Sequence, residues 1–170
     1  MFSLFSEPEL IPNEVVLHRK GSNFIVKLDE VDLPRFCADQ LMWTIGMAGK
    51  EAIGGHLYIT NYRLLFIAHK FNRLTGQFSI PLFRINDAYK KTKFPMFKLL
   101  VETDMANFEF VIWNANKAVE IIRSNQTNAP ENLEEILKEN LRQNTPLCFI
   151  NALFMPKETL KARWNDFMSN

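Results

Sequence analysis

From Glu14 to Trp113 the chain alternates short apolar runs with polar breaks marked by glycine, asparagine or proline, the spacing of β-strands rather than helices. Glu14–His18 and Phe24–Leu28 are predicted strands around a turn at Lys20-Gly21-Ser22-Asn23. Leu41–Met47 is a third apolar run, interrupted by Gly46 and followed by Gly49. Gly54-Gly55 precede the strand His56–Thr60, Asn61 marks a tight turn, and Tyr62–Ala68 follows, so this stretch reads as a hairpin. After a polar loop at Lys70–Gly76, a strand is predicted at Gln77–Pro81, with Pro81 ending the pairing or lying on an edge. Ile85–Lys91 is the next strand, and Leu99–Thr103 and Phe108–Trp113 flank a turn at Asp104-Met105-Ala106-Asn107.

At Asn114 the period changes. Ala115, Ala118, Val119 and Ile122 have helical spacing, with Asn114 as the expected N-cap and an end near Asn125. A run of strands followed by one helix predicts a curled antiparallel sheet whose open end the helix covers. Beyond residue 126 the pattern differs. Pro130 and Glu131 open an amphipathic helix that runs to Gln143, with Leu133, Ile136, Leu137 and Leu141 on one face. Thr145–Met155 is a short apolar stretch bounded by Pro146 and Pro156. Lys157–Met168 is a second amphipathic helix that aligns Leu160, Trp164, Phe167 and Met168. The expected division is a β domain over residues 1–126 and a helical extension over residues 127–170.

Composition sharpens this picture. The chain has 170 residues, long enough for one domain with a real core, and its 15 phenylalanines favour an aromatic, β-rich interior. The net charge of +1 gives no global attraction to nucleic acid or membrane, so steering must come from local patches. Cys37 and Cys148 fit a reducing compartment better than a disulfide scaffold. The first eight residues lack the basic and apolar regions of a signal peptide, and no run is long enough to span a membrane, so a cytoplasmic protein is expected.

Catalysis finds no support in the pattern. His18, His56 and His69 are the only histidines, and none has metal-ligand spacing with a cysteine. Gly54-Gly55 lacks the residues that would make it a phosphate-cradling loop. Cys37 has Trp43, not arginine, six residues on, which excludes a phosphatase-type loop, and Cys148 sits between Leu147 and Phe149. The expectation is a non-enzyme without metal or other cofactor.

Residues 14–123 resemble the GRAM branch of the pleckstrin-homology-like superfold. The resemblance rests on an acidic residue in the first strand and on Gly55-x-Leu57-Tyr58-Ile59-Thr60-Asn61-x-Arg63-Leu64-x-Phe66. It also rests on Ile80-Pro81-Leu82-x-x-Ile85, and on paired strands followed by a helix. It implies a mainly β fold with α: a partly open barrel or sandwich of antiparallel strands, capped by a helix and here followed by the helical extension. It further implies a binding module for phosphoinositide-rich membranes or protein partners. In such domains the first hairpin often contacts phosphoinositide, here Arg19 and Lys20, although a plain turn is the simpler reading.

Between Lys70 and Lys98 stand seven basic residues against one acid, Asp87. Of these, Lys70, Arg73, Lys90, Lys91, Lys93 and Lys98 are the candidate anion-binding residues, each worth ~1 kcal/mol near an anionic leaflet. A solvated strand face is the competing reading. Phe94 and Phe97, bracketed by lysines in a proline-containing loop, are candidates for membrane insertion. Arg63 is expected to pair with a carboxylate rather than bind ligand. Trp164 and Phe167 are candidate partner-interface anchors. Two functions stand open: peripheral binding of anionic lipid, and protein interaction without lipid affinity. Neither involves nucleic acid or a transmembrane segment, and the sequence leaves the oligomeric state open.

Overall fold

The computed structural model describes residues 7–27, 49–69, 77–93, 96–104 and 106–137. The elements among these residues are, in order, β1 (Val16–Lys27), β2 (Lys50–Thr60), β3 (Arg63–Ala68), β4 (Gln77–Pro81), β5 (Ile85–Lys93), β6 (Met96–Thr103), β7 (Asn107–Ile112) and α1 (Ala115–Asn125). A short 3-10 turn, Leu82–Arg84, joins β4 to β5. The strands form one antiparallel sheet in the order β4-β3-β2-β1-β7-β6-β5.

Aromatic packing shows how far this sheet curls. In a flat sheet β4 and β7 would lie about 19 Å apart, four strand spacings. Yet the Phe78 ring on β4 lies 5.6 Å from Phe108 and 6.0 Å from Phe110 on β7. Phe24 on central β1 touches Phe66, Phe78, Phe108 and Phe110, with ring centroids 4.8 to 6.1 Å apart. The concave face thus closes on itself around phenylalanine, while β4 and β5 remain as two edges. Helix α1 buries Ala115, Ala118 and Ile122 in the same core. A curled antiparallel sheet capped by a C-terminal helix is the pleckstrin-homology-like architecture expected from sequence. Pro81 closes an edge strand, where its missing N–H leaves no gap in the ladder.

The residues of the Thr60–Arg63 motif act as a clamp. Thr60 Oγ1 accepts from the backbone N–H groups of Tyr62 and Arg63 (3.1 and 2.9 Å) and donates to Arg63 O (3.0 Å), closing the β2–β3 turn. Asn61 accepts from Val15 N–H (2.8 Å) and donates to Asn13 O (3.0 Å), which ties the lead-in segment before β1, residues 7–15, to that turn. Residues 133–137 are helical, and Leu133 and Leu137 are buried against Ile11, with Tyr62, Ala129 and Ile136 around them. Residues 133–137 therefore pack against Ile11 and the β2–β3 turn.

Three local expectations are corrected. Lys20-Gly21-Ser22-Asn23 is not a turn: β1 runs straight through it, pairing these four residues with Leu57, His56, Gly55 and Gly54. Glycine, serine and asparagine resemble a turn in composition, but with β2 on one side and β7 on the other the backbone is held extended. Gly54-Gly55 likewise lie within β2 rather than before it. Asn114 occupies the N-cap position, but its side chain makes no capping bond; it is in the left-handed region (φ 63°, ψ 50°), which asparagine tolerates.

Candidate functional site

The basic residues predicted between Lys70 and Lys98 separate into distinct groups. Lys70, Arg73 and Phe94 lie outside the described residues, as do Trp164 and Phe167. Arg84 is paired with Glu134, whose hydrogen bond raises the guanidinium pKa further. The patch's lone acid, Asp87, faces Arg123 of α1 at 3.0 Å. Lys98, unlike its neighbours at the hairpin end, is nearly buried, and its ammonium donates to Glu109 on β7. Strand alternation places Lys98 on the same face as that carboxylate, across the β6–β7 ladder.

Lys90 and Lys91 behave differently. Both are exposed near the end of the β5–β6 hairpin, and no carboxylate among the described residues pairs with either. As neighbours on a strand they point to opposite faces of the hairpin. Lys93 continues the strand and pairs with Met96 where β5 meets β6. Above Lys90, the Phe97 ring lies 5.7 Å from the ammonium, within cation–π range. Phe97 meets Trp113 edge to face, with centroids 5.3 Å apart.

Trp113 was not singled out in the sequence. It reads there as the last apolar residue of a strand, but β7 ends at Ile112, and the left-handed Asn114 swings the chain into α1. The corner between them leaves the indole 73% exposed. Lys90, Phe97, Trp113, Asn114, Ala115 and Asn116 line an open groove of about 240 Å³. A neighbouring groove of about 630 Å³ lies between β5 and α1, bordered by Tyr89, Lys90, Asn116, Val119 and Arg123.

Cations also gather nearby. His18 Nε2 is buried without a hydrogen-bond partner among the described residues. Burial lowers the His18 pKa, and the charges of Lys117 on α1 and Lys20 on β1 lower it further. Lys20 is thus a mid-strand residue beside a histidine, not part of a hairpin loop. On the outer face, burial lowers the His56 pKa, with Arg19 and His69 adding to the effect, and the two imidazoles meet edge to face at 5.5 Å. Arg19 itself stacks over Tyr58 at 5.4 Å. Tyr89 donates to Glu102 at 2.7 Å, which raises the phenol's pKa.

Arg63 is held as expected from sequence, by a carboxylate. Its guanidinium donates to both oxygens of Glu14 (2.7 and 3.0 Å), to Ser79 Oγ (3.0 Å) and to Glu9 O (2.6 Å), and it is buried. No cluster of histidine, cysteine or acidic side chains suited to a metal ion occurs among the described residues. No helix among them is long and apolar enough to cross a membrane.

No family model matches the chain, and no curated protein matches it. Among solved structures, it is similar to the C-terminal domain of an unknown protein from Leishmania infantum. That likeness has 18% identity and a TM-score of 0.45, over 66% of this chain and 84% of the other. It is also similar to the Vps36 N-terminal PH domain, with 12% identity and a TM-score of 0.44, over 78% of this chain and 88% of that one. The fold assignment rests on the strand order, register and capping helix, not on these likenesses.

Proposed function

We propose that this chain is a non-catalytic peripheral membrane module of the GRAM kind. It binds anionic, phosphoinositide-like lipid at the cytoplasmic face of a membrane through the end of the β5–β6 hairpin. The observation that carries this reading is the pair Lys90 and Lys91: exposed, unpaired among the described residues and adjacent to the strand position of Lys93. Salt-bridged cations such as Arg84 and Lys98 are already neutralised, whereas unpaired ones gain from an anionic leaflet at ~1 kcal/mol each. These two lysines give an attraction that weakens as salt rises, and the sequence adds the charge of Lys93 next to them.

Cosedimentation with liposomes, with and without phosphoinositide and at low and physiological salt, tests this. The wild type should sediment with anionic liposomes in a salt-sensitive manner. The Lys90→Glu, Lys91→Glu, Lys93→Glu variant should stay in the supernatant. Wild-type protein that ignores every liposome would overturn the proposal.

A second reading, protein interaction without lipid affinity, draws on a different surface. Leu10, Val15 and Leu17 are 45%, 57% and 42% exposed along the lead-in and the start of β1. Binding there would be insensitive to salt and to the hairpin lysines.

A further inference from the structure

We propose that Trp113, with Phe97 as its support, is an interfacial anchor that enters the headgroup layer of a bilayer while the lysines around it meet anionic headgroups. The proposal rests on the membrane reading above and adds a second, uncharged component to it.

The geometry is specific to this corner. Among the large apolar side chains of the described residues, none is more exposed than Trp113, at 73%. Its position is fixed from both sides: Ile112 before it is buried in the core, and Ala115 after the left-handed Asn114 is buried under α1. The corner therefore cannot fold the indole inward without breaking β7 or the helix. Phe97 buttresses one edge of the ring, and Lys90 lies against Phe97 in turn. Indole has an apolar body and one N–H donor, the chemistry that favours the boundary between headgroups and acyl chains.

The surroundings decide between a bilayer and a protein as occupant. A stable protein interface covers about 800 Å² on each partner. Two aromatic side chains, each able to bury ~150–250 Å², fall well short of that. Lys90 lies against Phe97, and Lys117, exposed on the first turn of α1, lies three residues beyond Asn114, while Lys91 points to the opposite face of the hairpin. A second copy would bring the same cations face to face and be repelled, whereas an anionic leaflet complements them.

The test uses the full chain with wild type, Trp113→Ala and Trp113→Phe, and vesicles of phosphatidylcholine with and without anionic lipid. Because the indole is exposed, urea unfolding of both variants should match the wild type. At physiological salt, Trp113→Ala should lose ~10-fold in vesicle partitioning, and Trp113→Phe should lose less. Brominated phosphatidylcholine in anionic vesicles should quench wild-type fluorescence more than that of Trp113→Phe, the difference reporting Trp113 despite the other two tryptophans. If wild type and Trp113→Ala partition equally and the quenching difference is zero, the anchor is overturned while the lysine-based reading stands. If the wild type binds no vesicle, both fall. If Trp113→Ala instead abolishes a concentration-dependent dimer seen by light scattering, the indole serves a second copy, and the anchor is again overturned.

Discussion

Arg63 carries a positive charge into the interior, with 5% of its surface exposed, where Glu14, Ser79 and Glu9 O accept from it. Glu14 takes two of its hydrogen bonds and also accepts from Ile11 N–H at 2.9 Å, so arginine and glutamate are bound to each other and to the backbone. Removing one partner of such a pair leaves the other charge buried and unmatched, at a cost of about 3–5 kcal/mol. Arg63→Ala should therefore lower the free energy of unfolding in urea by about that amount. Arg63→Lys should not restore it, because an ammonium cannot span both carboxylate oxygens. A loss under 1 kcal/mol in Arg63→Ala would show that the pair contributes little. The structural role of this arginine was legible from its place in the hairpin. Its partner was not, since 49 residues separate Glu14 from Arg63 and no local spacing links them. Trp113 was hidden by its composition and not by the pattern: it is apolar, but the alternation that turns Phe108, Phe110 and Ile112 inward already places position 113 on the other face.

Strands, more than single residues, explain where the sequence reading succeeded. The Tyr62–Ala68 run, Gln77–Pro81 and the helix after Asn114 have strong periods and clear ends, and they appear where expected. Misreadings fell on glycine-containing stretches inside β1 and β2, where composition signals a turn but neighbouring strands on both sides hold the chain extended. The two glycines at the centre of that region are not equivalent. A Cβ on Gly55 would meet Ile67 O at 2.4 Å and Phe66 Cζ at 2.5 Å, because β3 lays its backbone and an aromatic ring directly over the position. A carbonyl in a paired strand cannot move aside cheaply, so Gly55→Ala should destabilise by about 1–3 kcal/mol. Gly21, in contrast, has nothing within 4 Å of its virtual Cβ and an ordinary strand conformation. Gly21→Ala should be neutral or stabilise by up to ~1 kcal/mol, through the reduced freedom of the unfolded chain. Thermal unfolding of the two variants side by side distinguishes close approach from simple flexibility. Equal effects at both positions would rule out close approach as the reason for Gly55.

At the scale of the molecule, three stretches distant in sequence meet at the β2–β3 turn. The lead-in brings Ile11, the turn itself brings Tyr62, and residues 133–137 bring Leu133 and Leu137. Hydrogen bonds reinforce the meeting: Leu82 N–H donates to Tyr62 O at 2.9 Å, Arg63 reaches Glu9 O, and Arg84 pairs with Glu134. The amphipathic face Leu133, Ile136, Leu137 was visible in the sequence, but its partner surface was not, because periodicity reports which side of a helix is apolar and not what covers it. If the lead-in and the extension stabilise each other, their energies cannot be independent. Leu133→Ala empties a fully buried site and should cost about 2–5 kcal/mol, and Ile11→Ala should cost less because its neighbours can settle toward the surface. The double variant should lose less than the sum of the two single losses, by about 0.5–3 kcal/mol, since the second truncation removes contacts the first has already broken. Chemical denaturation of the four chains measures this coupling directly. Strict additivity would mean that the extension packs on the sheet without depending on the lead-in, and that the junction is two adjacent contacts instead of one cooperative cluster.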